Sequence, residues 1–100
     1  NQIEIPKLDK TIHSPVRLGI LSILISVQEA DFNHLKKTTN TSDGNLSTHL
    51  TKLEEKAMIE VKKSFKGKKP HTVCKITKKG RSAFLTYVQN LESFLKMSKK

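Results

Sequence analysis

The sequence predicts a mainly α-helical domain that carries one small β-hairpin, an α+β arrangement. Apolar residues recur at helical spacing in four separate stretches, the period shortens to about two residues after Met58, and a capping or turn residue stands at each change. A chain of 100 residues supports one hydrophobic core, so residues 1–100 are expected to form a single domain.

Ser14-Pro15 opens the first helix. Serine caps it, and proline takes the first helical position, where its missing N–H costs nothing. The apolar pattern then runs Val16, Ile20, Leu24 and Val27, with a second stripe of Leu18, Leu21 and Ile25. One face cannot bury both stripes, so either a second copy of the chain or other helices of the same chain must cover this helix. Asp31 caps a second helix of about two turns, built on Phe32 and Leu35, which gives way to the turn-rich Thr39-Asn40-Thr41. Ser42 caps a third, on which Leu46, Leu50, Leu53 and Ala57 recur at i, i+4, i+7 and i+11 as a narrow inward seam. The short polar turn between these two makes residues 31–57 a helix-turn-helix.

Beyond Met58, the apolar Ile59, Val61 and Phe65 alternate with Glu60 and Lys62, although Lys63 breaks the pattern. Lys66-Gly67-Lys68-Lys69-Pro70 reads as a turn and residues 71–76, with Thr72, Val73 and Ile76, as a returning strand, so residues 59–76 form a hairpin. Thr77 caps the last helix, residues 78–97. There Phe84, Val88, Leu91 and Leu95 keep heptad-like spacing while Tyr87 and Phe94 widen the stripe beyond what so small a domain needs to bury. Residues 1–12 carry no clear signal.

Charge is distributed unevenly. The chain holds 19 Lys and Arg against 9 Asp and Glu, a net charge of +10 and a pI of about 9.9. Residues 1–50 are neutral overall, whereas residues 62–81 hold nine cations and no acid. Such asymmetry is the footprint of a polyanion-binding face. The apolar content of 35% excludes a disordered tail, and residues 18–27, interrupted by Gly19, Ser22 and Ser26, fall far short of the ~20 needed to span a membrane. One cysteine, Cys74, cannot close an intramolecular disulfide, and the chain begins at Asn1 without a basic-then-apolar leader. The expected compartment is therefore the reducing cytoplasm.

The order helix, helix-turn-helix, basic hairpin, helix resembles the winged helix-turn-helix fold. The residues resemble it in detail: Pro15-Val16-Arg17-Leu18 with Ile20-Leu21, Asp31-Phe32 with Leu35, Ser42-Asp43-Gly44-Asn45-Leu46-Ser47-Thr48-His49-Leu50 with Leu53-Glu54, and Ile76-Thr77 with Gly80-Arg81. Together, over residues 9–95, they are similar to the compact bacterial and archaeal transcriptional regulators of the MarR and ArsR families, a resemblance that implies a prokaryotic source. The resemblance implies that the third helix, residues 43–56, enters the DNA major groove and that the hairpin, or wing, lies on the backbone or an adjacent minor groove. In place of the glycine common after the third helix in such proteins stands Lys56-Ala57-Met58. A slightly longer helix with a different turn is expected there, because Ala57 at positive φ would cost about 1 kcal/mol.

Helical geometry adds independent detail. Gly44, Asn45, Thr48, Thr51 and Lys52 fall opposite the leucine seam, with Ser47 and His49 on the flanks. Asn45 and Thr48 suit base edges, Thr51 and Lys52 a phosphate or base, and Gly44 permits close approach. Ser47 and His49 fit local packing as well as DNA contact. Lys66, Lys68 and Lys69 at the wing tip suit phosphates, with Lys62, Lys63 and Lys75 extending the strip. Lys36 and Lys37 fit further phosphate contacts or a solvated face, and Arg17 and Arg81 fit intramolecular pairing equally well.

The remaining expectations concern assembly and chemistry. Leu18, Leu21 and Ile25 of the first helix, with Tyr87, Leu91, Phe94 and Leu95 of the last, are candidates for a homodimer interface. His13, His34, His49, His71 and Cys74 match no metal-ligand spacing, and no phosphate loop, nucleophile elbow or carboxylate pair is present. Neither catalysis nor a cofactor is expected, and Cys74 reads as a buried structural thiol. The leading function is a dimeric, sequence-specific regulator of double-stranded DNA; the alternative is a winged-helix module for a protein or RNA partner. Nothing names a small-molecule effector.

Overall fold

The computed structural model describes residues 8–98. In chain order it contains α1 (Pro15–Val27), β1 (Glu29–Asp31), α2 (Phe32–Thr39), α3 (Asp43–Glu55), β2 (Ile59–Lys66), β3 (Lys69–Ile76) and α4 (Lys78–Ser98). Each helix begins where a side chain takes up an orphan backbone N–H. Ser14 accepts from Arg17, Asp31 from His34, Ser42 from Asn45 and Thr77 from Gly80.

The sheet is antiparallel in the order β1-β3-β2. β1 has no signal in the sequence: its three residues form no pattern of their own, and they are held by pairing Ala30 with Cys74 in the middle of the sheet. The wing is also tighter than expected. β3 begins at Lys69 instead of residue 71, leaving Gly67-Lys68 as a two-residue turn whose positive φ falls on Gly67, as a type II′ turn requires. Pro70 sits in the strand opposite Phe65, on a stretch of β3 that β1 does not reach, so its missing N–H breaks no ladder.

The core gathers Ile20, Leu21 and Leu24 of α1, Leu35 of α2, Leu46, Leu50 and Leu53 of α3, and the sheet residues Ile59, Cys74 and Ile76. Ile12, from the stretch without a sequence signal, is fully buried among them. α1 is contacted by α2, α3, α4, β1 and β3; of its second apolar stripe Leu21 is buried within the chain, while Leu18 and Ile25 stay half-buried. Leu21 and Tyr87, expected at an interface between copies, are instead buried in this core at 0% and 3% exposure. Among the described residues no helix is long and apolar enough to cross a membrane.

The turn from α3 into β2 departs from expectation. The helix stops at Glu55, and Ala57 takes φ +58°. Met58 N–H donates to Leu53 O at 3.0 Å and Ala57 N–H to Glu54 O at 2.9 Å, the two bonds of a Schellman ending, with buried Met58 and Leu53 as its apolar contact. Thr77 then locks the turn to α4 by donating its Oγ1 to Ala57 O (2.7 Å) and its N–H to Met58 O (3.0 Å). Gly80 completes the junction because a Cβ there would stand 2.0 Å from the Met58 carbonyl oxygen. A left-handed Ala57 is thus the cost of bringing the wing and α4 together.

Candidate nucleic-acid interface

α3 divides into two faces. Leu46, Leu50 and Leu53 are buried, while Gly44, Asn45, Ser47, Thr48, Thr51 and Lys52 are exposed. The Asn45 amide has no intramolecular partner among the described residues, so its donor and acceptor point to solvent together. Thr48 donates its hydroxyl to Gly44 O at 3.0 Å, which leaves its lone pairs and methyl group outward. Such an outward set can accept from an amino group or pack on a thymine methyl.

His49 turns away from that face. Half-buried, its Nδ1 lies 2.9 Å from Arg17 Nη1, and Arg17 Nε donates to Thr11 O. Arg17 has only donors, so the imidazole must accept through an unprotonated Nδ1. Burial first, and the Arg17 charge second, hold His49 below its usual pKa. Among the described residues Arg17 forms no ion pair; it serves as a hydrogen-bond bridge between the segment before α1 and α3.

At the start of α3, Asp43 pairs with Lys36 at the end of α2 across 2.6 Å. Lys36 is thereby occupied, while Lys37 beside it is exposed. The acid near the helix N-terminus is neutralised within the helix-turn-helix itself.

The register of the wing sorts its lysines. Lys75 has acids as its cross-strand neighbours in register, Glu29 on β1 and Glu60 on β2. Lys62, Lys63, Lys66, Lys68 and Lys69 are exposed and have no acidic partner among the described residues; Lys66 and Lys69 sit directly opposite each other. Like charges side by side are unfavourable in the free protein and favour binding of a polyanion. A groove lined by Ser47, Thr51 and Glu54 of α3 and by Val61, Lys63 and Thr72 of the wing joins the two elements. Phe65, expected as part of the strand's apolar alternation, is 75% exposed near the tip. The alternation assigned it the right face, and only its distance from the core along the register could have revealed its exposure.

Other candidates are placed as follows. Leu18, Ile25, Leu91 and Phe94 are half-buried, and Leu95 is exposed. Leu85 of α4, absent from the expected set, is also exposed, at 52%. Cys74 is buried, and burial, with Glu54 adding to it, pushes its thiol up to about 11, so the reactive thiolate is absent at neutral pH. Among the described residues no three His, Cys, Asp or Glu side chains are grouped to hold a metal.

Comparison with known proteins accords with this geometry. An uncharacterized protein of Methanocaldococcus jannaschii is 44% identical over 82 residues, 82% of this chain and 89% of that protein. The structure of a transcriptional regulator homologue from Pyrococcus horikoshii superposes with a TM-score of 0.82 at 27% identity, covering 90% of this chain and 89% of that one. ZitR of Lactococcus lactis, a zinc-responsive MarR family member solved in complex with DNA, shares the fold at TM-score 0.64 and 17% identity, over 99% of this chain and 67% of its own. The winged helix DNA-binding domain model matches residues 16–95, and the chain belongs to that family.

Proposed function

We propose that this DNA-binding regulator reads double-stranded DNA sequence-specifically as a homodimer, with α3 in the major groove and the lysine-rich wing on the flanking backbone or minor groove. The observation that carries the reading is the joint exposure of Asn45, Thr48, Thr51 and Lys52 on one helix beside a wing tip of three unmatched lysines, Lys66, Lys68 and Lys69. The helix offers groups that distinguish bases, and the wing offers charge that holds the phosphates. Gly44 permits close approach, since a side chain there would meet nothing. Ser47 lines the groove toward the wing, and His49 supports α3 through Arg17.

The dimer surface in this reading is α4 with the open side of α1. Leu85 and Leu95 are half exposed, and Leu91, Phe94, Leu18 and Ile25 are only partly covered. Two copies about a two-fold axis would present their α3 helices one DNA turn, ~34 Å, apart. Selection from a random duplex library at near-physiological salt tests the whole reading. Enrichment of a palindrome with half-sites one turn apart is the expected result. Recovery without enrichment would indicate a nonspecific binder, and no recovery would shift the reading to a protein or RNA partner.

A further inference from the structure

Phe65 is the most exposed large hydrophobic side chain among the described residues, at 75%. The register explains its position. Ile59 and Val61 pair with Ile76 and Cys74 on the face of the sheet that meets the core, and the same parity puts Lys63 and Phe65 on that face, opposite Thr72 and Pro70. β1 pairs with β3 only as far as Val73. The outer pairs of the hairpin therefore project past the third strand by roughly 13 Å, at about 3.3 Å per residue. Phe65 stands out of reach of the core, and Pro70 adds apolar surface across from it.

Lys63 shares the face of this ring, Lys66 and Lys69 pair on the opposite face of the hairpin, and Lys68 stands in the turn, all exposed and none with an acidic partner among the described residues. An apolar protein groove is a poor match, since four lysines would lose water without compensation. The complementary surface is anionic at its rim and apolar within. The minor groove of duplex DNA has that character, with phosphates along its walls and deoxyribose carbons and base edges between them. The groove between α3 and the wing runs along the face of the hairpin that bears Lys63 and, two residues further out, Phe65. Glu54 also lines that groove, so the phosphate contact falls to Lys63 on the wing side, and a DNA strand held by Lys63 would lead on to the phenyl ring.

We propose that Phe65 is a minor-groove contact, its ring set against sugar and base edges while the flanking lysines hold the phosphates. The inference rests on the DNA-binding reading above and adds a specificity-determining residue to it. A ring that must fit the groove responds to groove width, which varies with sequence, whereas the lysines respond to charge alone.

The test is titration of the full chain with two fluorescein-labelled duplexes, one A·T-rich and one G·C-rich, over a range of salt concentrations. Phe65→Ala is expected to weaken binding about tenfold and to reduce the difference between the two duplexes. Its slope of log affinity against log salt should match the parent's, because a phenyl ring releases no counterions. Phe65→Leu should retain most of the affinity. Phe65→Lys should steepen the slope without restoring parental affinity; full restoration would mean the wing is only a cationic strip and would overturn the proposal. Unchanged binding by Phe65→Ala, with Lys68→Ala weakened, would overturn it while leaving the DNA-binding reading intact. Failure of the parent to bind either duplex would remove the reading itself. A Phe65→Ala variant that keeps DNA binding but loses binding to phosphatidylserine vesicles would overturn the proposal in favour of a membrane surface. Parental far-UV circular dichroism and Tm are expected throughout, since the ring packs on nothing in the core.

Discussion

Arg17 Nη1 stands 2.9 Å from His49 Nδ1, and this contact fastens α1 to the helix that bears the candidate base-reading face. Only a neutral imidazole can accept it. His49 is held below its usual pKa of 6.5 in the folded chain, chiefly by burial and further by the Arg17 charge.

The pH dependence follows from that direction. The unfolded chain takes up a proton near pH 6.5 while the folded chain resists, so the contribution of His49 is fully present above about 6.5 and is lost as pH falls toward the lower folded value. Urea unfolding should give a lower midpoint at about pH 5.5 than at about pH 7.5. His49→Gln keeps an acceptor for Arg17 and cannot titrate, so the difference between the two pH values should shrink. An equal difference in both proteins would assign the pH dependence to other groups.

Ala57 offers a test of backbone strain. At φ +58° it occupies the left-handed position that ends α3, with both Schellman hydrogen bonds formed. Ala57→Gly removes the Cβ penalty and should stabilise the fold by about 1 kcal/mol, raising Tm by roughly 4–8 °C. Ala57→Val should lower it. Thermal unfolding by circular dichroism measures both, and a lower Tm for the glycine variant would mean that the alanine methyl contributes packing that outweighs the strain.

Ala57 also marks how far the sequence could be read. Helix positions were legible because Ser14, Asp31, Ser42 and Thr77 are local signals, each acting on an N–H within three residues. The turn at Ala57 was not, because its conformation is fixed by Thr77 and Gly80, some twenty residues away. β1 was hidden for the same reason: three residues become a strand only through their partners on β3. In the candidate interface, periodicity gave the exposed face of α3 and composition gave the wing lysines. Pairings such as Lys36 with Asp43 depend on how elements pack, and so does what covers Leu21 and Tyr87: periodicity marked both as apolar positions but could not tell this chain's own core from a second copy.

The Lys36–Asp43 pair should matter more to binding than to folding. Both side chains are largely exposed, at 42% and 73%. A pair in that setting contributes at most about 1 kcal/mol. Asp43→Asn should therefore leave Tm nearly unchanged. It also frees Lys36 and removes an acid beside the N-terminus of α3, where a phosphate would otherwise find unpaired N–H groups. Tighter binding to any duplex and a salt slope steeper by about 1 are expected from fluorescence titration. Unchanged binding would place the start of α3 away from the phosphates.

The division of labour between wing and α3 can be separated by salt and by sequence. Removing Lys66, Lys68 and Lys69 together deletes three charges that have no acidic partner among the described residues, so binding should weaken to a similar degree on every duplex, with the salt slope flattened by about 3. Asn45→Ala deletes an amide whose donor and acceptor have no intramolecular partner among the described residues. It should leave the slope unchanged while costing about 1–3 kcal/mol on the preferred sequence and little on others. Competition titrations with preferred and scrambled duplexes distinguish the two. If Asn45→Ala weakened both duplexes equally, α3 would be positioning the domain without reading bases through this residue. If the triple lysine variant kept its slope, the charge excess of the second half of the chain would serve some purpose other than holding DNA.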